Sequence, residues 1–152
     1  MKKLDAEEIF RPNEQNILIG CDGEVHQKVP TTMDVAKERA RQGVPDGYVI
    51  LAERQTNGRG REGAWECSSR SGLLLTIILH ANLPPEERHI MGILGPLSAT
   101  EVFREMGVDA WIKWPNDIVT IESTSPLLLC KMGGTLVEQA DRGDGPPDHL
   151  LG

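Results

Sequence analysis

Four short stretches carry side chains that can do chemistry. The densest is 52–65, Ala-Glu-Arg-Gln-Thr-Asn-Gly-Arg-Gly-Arg-Glu-Gly-Ala-Trp, where Arg59 and Arg61 are interleaved with Gly58, Gly60 and Gly63. Glycine lets a backbone approach a ligand closely, and arginine offers a planar fork for phosphate or carboxylate. Alternating them makes a loop able to wrap a small anion. The second stretch is Lys113-Trp114-Pro115-Asn116-Asp117. It suits a nucleotide triphosphate: Asp117 for Mg²⁺, Asn116 for ribose or phosphate, Lys113 to offset charge. The third is Lys131-Met132-Gly133-Gly134, a lysine set in the apolar run Leu127 to Val137. It reads as an ammonium in a partly buried site, positioned against a carboxylate or α-phosphate. The fourth is Thr31-Thr32 at the start of a helix, a hydroxyl pair beside amides that can donate to a carbonyl or anion.

Each stretch also has a plain reading. A Gly/Arg loop can be a solvated connection. Asn116 and Asp117 can cap their own turn. Lys131 can blunt a sheet edge or snorkel to water. Thr31 or Thr32 can be a simple helix cap. Gly58-x-Gly60-x-x-Gly63 also matches a dinucleotide-binding pattern, but no helix opens there, and Ala64 to Ser69 runs toward a strand.

The elements that must hold these residues follow from periodicity and turn chemistry. Residues 3–10 read as a short helix. Asn16–Cys21 and Glu24–Val29 read as a hairpin across Asp22-Gly23. Thr31–Arg41 is a helix closed by Gly43, with Met33, Ala36 and Ala40 inward. Strand 48–53 enters the Gly/Arg loop, and Leu73–Leu79, apolar on both faces, leaves it as a central strand. Glu86–Met106 is the longest helical pattern, with Ile90, Ile93, Leu94, Leu97, Val102, Phe103 and Met106 at core spacing and a kink or break at Gly95-Pro96. Strands are expected at Ala110–Lys113, Ile118–Ile121, Leu127–Glu138 with an irregularity at Gly133-Gly134, and His149–Gly152, with a polar turn at Glu122–Pro126. Hairpins mixed with helical connections predict an α+β fold, a mixed sheet with helices on one face.

The chain has 152 residues, a net charge of −7, and 39% hydrophobic and 26% charged residues. That balance fits one ordinary globular domain and gives no electrostatic footprint for nucleic acid. Three cysteines without a CxxC pair support neither a zinc ribbon nor a disulfide scaffold, and are expected to be reduced and mostly buried. No apolar run approaches the ~20 residues of a membrane span, and the N-terminus has no signal-like apolar region, so a cytoplasmic location is expected.

Taken in order, the four stretches resemble the catalytic domain of biotin protein ligases. Gln55-Thr56-Asn57-Gly58-Arg59-Gly60-Arg61-Glu62-Gly63 is similar to that family's biotin loop. Lys113–Asp117 matches its Lys-Trp-Pro-Asn-Asp motif, Lys131–Glu138 its lysine strand, and Thr31-Thr32-Met33-Asp34 its Ser-Thr-Met-Asp segment. The resemblance implies a fold related to class II aminoacyl-tRNA synthetases. It also implies ATP-dependent formation of biotinyl-5′-AMP, then transfer to a lysine of a biotin carboxyl carrier domain. By the same resemblance, Lys131, Arg59 and Arg61 are the catalytic cations. Biotin would be met by Thr31, Thr32, Met33, Gln55, Gly58, Arg59, Gly60, Arg61 and Lys131. ATP would be met by Trp65, Lys113, Asn116 and Asp117, with Mg²⁺ on Asp117. A lipoate or octanoate ligase or transferase of the same fold, or a biotin-binding module without turnover, are the other readings. The family continues past the position of Gly152 with a further strand and a small domain. The resemblance therefore covers residues 1–152 as a catalytic domain lacking its C-terminal part, with no winged helix before it. The glycine-rich loop is expected to carry unpaired positive charge and to be mobile without ligand.

Overall fold

The computed structural model describes residues 3–10, 18–68, 71–124, 126–143 and 145–152. The chain divides into two compact units, Met1–Asn82 with Glu138–Gly152, and Leu83–Val137. Among the described residues, no helix is long and apolar enough to cross a membrane.

The first unit is built on a mixed five-stranded sheet. Its strands are β1 (Gly23–His26), β2 (Tyr48–Ala52), β3 (Leu74–Leu79), β7 (Val137–Ala140), which straddles the unit boundary, and β8 (Asp148–Leu151), in the order β1-β2-β3-β8-β7. β1 runs parallel to β2, while β2–β3 and β3–β8 are antiparallel. As expected, β3 is central and β8 forms.

A short helix α1 (Ala6–Ile9) is capped by Asp5, whose carboxylate accepts from the Glu7 amide. Helix α2 (Thr32–Arg41) starts where Thr31 accepts the Met33 amide and ends before Gly43, whose φ of 73° continues the chain where a side chain would be strained. Met33, Ala36 and Ala40 are buried as α2 crosses β2, β3 and β8. Arg39 ties α2 to β1 through two hydrogen bonds to Glu24, 2.8 and 3.0 Å long. The core is Val29, Met33, Ala36, Ala40, Val49 to Ala52, Leu74, Ile78 and Leu150.

The second unit contains a 3₁₀ turn (Pro85–Glu87), helix α3 (His89–Glu105) and an antiparallel sheet of β4 (Ala110–Lys113), β5 (Asp117–Thr124) and β6 (Leu127–Gly134). α3 packs on β4 and β5 around Met91, Ala110, Ile118 and Val119.

Several expectations are corrected. The Asp22-Gly23 hairpin does not form: Gly23 opens β1, which pairs with β2 in parallel. A Cβ on Gly23 would lie 2.4 Å from the Val49 carbonyl oxygen, so this glycine serves close strand approach instead of a turn. Residues 16 and 17 of that expected hairpin lie outside the described residues.

α3 runs unbroken through Pro96. Its buried face is Met91, Gly95, Pro96 and Thr100, whereas Ile90, Ile93, Leu94, Leu97, Val102 and Met106 are exposed. Small residues let the helix approach the sheet, and burial of the proline ring offsets the hydrogen bond it cannot make. The expected strand over 127–138 is two strands, β6 and β7, and β5 extends through most of the expected polar turn. Cys21 and Cys130 are exposed and Cys67 half-buried, all three unbridged, so the thiols are not mostly buried.

Candidate functional site

In the first unit, the connection leaving β1 and the loop leaving β2 are stitched together. Val29 bridges Gln55 in parallel, the Thr56 amide donates to Val29 O at 3.0 Å, and the Asn57 amide donates to Pro30 O at 2.8 Å. This brings Thr31, Thr32 and Met33 to the base of the Gly/Arg loop. Gln55 Oε1 accepts both the Thr32 amide (2.7 Å) and the Thr32 hydroxyl (3.0 Å). Behind them Thr76, fully buried on β3, donates to Thr32 Oγ1 at 2.8 Å. Gly152 presses on the same spot: a Cβ there would come within 2.8 Å of Met33 Cε and 3.0 Å of Thr76 Oγ1.

The loop itself is a small hairpin. The Trp65 amide donates to Gly58 O (2.8 Å), the Gly60 amide to Gly63 O (2.7 Å), and Arg59 pairs with Ala64 across it. The expected unpaired charge is corrected at Arg59. Its Nη2 donates to Asp34 Oδ1 at 2.9 Å, and Nε and Nη2 reach the Glu138 carboxylate at 3.2 and 3.3 Å. Lys37 joins the same carboxylate. The Asp34 hydrogen bond, with Glu138 in support, raises the guanidinium pKa above its ordinary value. Arg61 lies exposed in the turn and Trp65 is half-buried at the end of the hairpin.

In the second unit, Lys113 and Asp117 face each other across the β4–β5 turn, and the Trp114–Pro115 peptide within it is cis. The Asn116 side-chain amide donates to Thr135 O at 2.9 Å, and the Thr135 amide returns a bond to Asn116 O at 3.0 Å. This closes the turn onto the end of β6. Lys131 Nζ donates to Asp117 Oδ1 at 2.6 Å.

The register explains how the lysine gets there. Ile118 pairs with Gly133 but Val119 pairs with Lys131, so Met132 is the extra residue of a bulge that re-aims Lys131. Gly134 permits the close approach, since its Cβ would sit 3.3 Å from both Asn116 O and Asp117 Oδ1. The Lys131 side chain is 42% exposed, not partly buried as expected, on an edge strand of its sheet.

All the residues singled out for chemistry thus gather in two groups, one in each unit. The sequence assigns no role to Thr76, Asp34, Glu138 or Gly152, although Asp34 and Glu138 fall inside two of the quoted motifs. The available signals are a lone hydroxyl in the aliphatic run Leu73–Leu79 and a glutamate at the end of the lysine strand. Asp117, the carboxylate singled out for Mg²⁺, is engaged here by the Lys131 ammonium. Among the described residues no cluster of three or more His, Cys, Asp or Glu could hold a metal. A single carboxylate fits a Mg²⁺ that keeps its waters and is shared with substrate phosphates.

A family model described as the biotin/lipoate A/B protein ligase family matches residues 25–146. The chain belongs to this family. It is 30% identical over 96 residues to the bifunctional ligase/repressor BirA of Bacillus subtilis, covering 62% of this chain and 30% of that protein. It is 30% identical over 145 residues to the human biotin–protein ligase, covering 90% of this chain and 19% of that protein. Among solved structures, the biotin acetyl coenzyme A carboxylase synthetase of Helicobacter pylori, with bound biotinylated ATP, superposes with a TM-score of 0.62 at 26% identity. That match covers 86% of this chain and 59% of that one. The chain therefore spans less than two thirds of each of these relatives. The chain's α+β architecture with a mixed sheet is the fold that superposes on the Helicobacter pylori structure.

Proposed function

We propose that this chain activates biotin with ATP, forming biotinyl-5′-AMP and pyrophosphate, and then passes the acyl group to a lysine of a biotin carboxyl carrier domain. The observation that carries the reading is the first-unit group. A polar floor of Thr32 and Gln55 lies at the base of a glycine hairpin bearing Arg59, within a chain of the biotin/lipoate ligase family. Its similarity to a human biotin–protein ligase and to a biotin acetyl coenzyme A carboxylase synthetase with bound biotinylated ATP supports biotin and ATP as ligands and a carboxylase as the destination.

The chemistry sets what each residue must do. The biotin carboxylate attacks the α-phosphorus, and the bond to the pyrophosphate oxygen breaks. The lysine amine of the carrier then attacks the acyl carbon and AMP leaves. Two anions must meet, so cations have to sit on both and water must be kept out. Thr31, Thr32, Met33 and Gln55 hold the ring of biotin. Gly58 and Gly60 let the backbone close over it. Arg59 and Arg61 neutralise the carboxylate and the phosphate. Lys131, held by Asp117, is the ammonium for the reacting oxygens. Lys113 and Asn116 serve the triphosphate, and Trp65 packs by the nucleotide. Mg²⁺ on Asp117 supplies charge neutralisation of the phosphates when bound. Positioning and charge account for the rate, without a covalent enzyme intermediate.

ATP–pyrophosphate exchange with biotin, lipoate or no acid tests this. Exchange that requires biotin supports it. Exchange with lipoate alone moves the chain to the lipoate branch of its family, and no exchange with any acid, despite biotin binding, makes it a binding module.

A further inference from the structure

We propose that Thr76 is a positioning residue: it fixes the hydroxyl of Thr32, and through it the amide of Gln55, in the orientation the pocket presents to its ligand. The binding half of this claim rests on the biotin reading above; the positioning half does not.

Valence fixes the direction of every bond in the chain. The Thr32 backbone amide can only donate, so the Gln55 atom 2.7 Å away is the oxygen, not the nitrogen. That oxygen carries no proton. The Thr32 hydroxyl, 3.0 Å from it, must therefore be the donor. Having spent its proton, Thr32 Oγ1 can only accept from Thr76, 2.8 Å away. Gln55 Oε1 thus takes two bonds from Thr32, and its Nε2 is turned toward the loop, 3.1 Å from where a Gly58 Cβ would be.

Thr76 is fully buried in β3, with Ile50 opposite it on β2, and it belongs to the rigid centre of the sheet. Thr32 and Gln55 belong to a helix end and a loop base, which are more easily displaced. The hydroxyl of Thr76 is the point at which the sheet holds both. Without it, Thr32 Oγ1 loses its donor, and the Thr32 hydroxyl and the Gln55 amide are held only by each other and by the Thr32 backbone amide.

The test compares Thr76→Val, which keeps the shape and removes the hydroxyl, with Thr76→Ser, which keeps the hydroxyl. In the ligand-free protein, hydrogen exchange of the Thr32 amide is read by NMR, with the Ile50 and Ile78 amides as references. Thr76→Val should lower Thr32 protection by about tenfold, the scale of one buried hydrogen bond, while Thr76→Ser stays near wild type. Calorimetric titration with d-biotin should show the same split, about tenfold weaker for valine and near wild type for serine. Unchanged Thr32 protection in Thr76→Val overturns the proposal, as does a serine variant as impaired as the valine one. A wild-type protein that fails to bind biotin refutes the functional reading, and the amide exchange then decides the positioning claim by itself.

Discussion

Arg59 is expected to serve an anionic ligand, yet two carboxylates already hold it, and the strength of that hold can be measured. The perturbation is Glu138→Gln. The arginine and glutamate side chains are 33% and 21% exposed, and their closest approach is 3.1 Å. A bare Coulomb estimate at an effective dielectric of about 20 gives roughly 5 kcal/mol. Solvent screening and the entropy of holding two long side chains reduce this to the ~1 kcal/mol typical of exposed pairs. One kcal/mol is about fivefold in the population of the hairpin with Arg59 released.

Trypsin reads that population, because the enzyme must take the Arg59 side chain into its own pocket to cut before Gly60. Under conditions where reclosing is fast, the cleavage rate follows the open fraction. Fragments ending at Arg59, quantified by mass spectrometry, should appear about fivefold faster in Glu138→Gln than in wild type, by the pair estimate above. Raising the salt concentration should narrow the gap, since screening weakens the wild-type pair. Asp34→Asn should act in the same direction, since its 2.9 Å hydrogen bond is the shortest that Arg59 makes, although Asp34 is 47% exposed. Equal cleavage rates for wild type and Glu138→Gln would show that the ion pair does not restrain the hairpin, and the reasoning fails.

Other consequences follow from single sites. Gly58→Ala places a Cβ 2.3 Å from the Trp65 carbonyl oxygen, so the hairpin must open and biotin binding should fall at least about tenfold. Gly63→Ala meets nothing within 4 Å and should bind as wild type; equal binding by both variants would refute the close-packed loop. Asp117→Ala removes the partner of Lys131 at 2.6 Å. Pyrophosphate exchange should drop about 10²-fold, while urea unfolding shifts by no more than about 1 kcal/mol because the pair is partly exposed; a large stability loss would make the pair structural. Burial raises the pKa of Asp148, although His80 and Arg142 oppose the shift. A carboxyl raised in the folded state binds its proton there more tightly than in the unfolded chain. Its contribution is therefore full below the ordinary value of about 3.9 and is lost as pH rises through the folded value. Wild-type stability relative to Asp148→Asn should accordingly fall as pH rises through that window, and a rise in urea-melt comparisons would refute the assignment.

Local signals proved legible where one helix or strand settles the matter. Thr31 and Gly43 bound α2, and the run of aliphatic residues in β3 places it at the sheet centre. The motifs at 113–117 and 131–134 do fold toward each other within their unit. What failed needed partners far along the chain. Asp-Gly is a strong hairpin signal, but pairing with β2 overrides it, and the glycine is used for strand approach. In α3 the apolar residues outnumber what one face can bury, so periodicity identified a helix and picked the wrong arc. Thr76 lies 44 positions from Thr32 and Glu138 79 positions from Arg59, beyond any spacing rule.

The parallel pairing of β1 and β2 has a consequence for energetics. Gly23 pairs with Val49, and Val29 keeps that same register against Gln55 past the end of the ladder. Thr32, beyond the end of β1, and Gln55, beyond the end of β2, therefore lie at the same end of the sheet because the two strands run the same way. Among the described residues β1 is an outermost strand, bonded within the sheet to β2 alone. A two-residue slip would carry Thr32 about 6.6 Å out of reach. Any ligand gripped by both residues works as a rivet across that outer seam. Its occupancy and the docking of β1 and α2 are then thermodynamically linked, worth about 2.7 kcal/mol at a hundredfold excess over Kd.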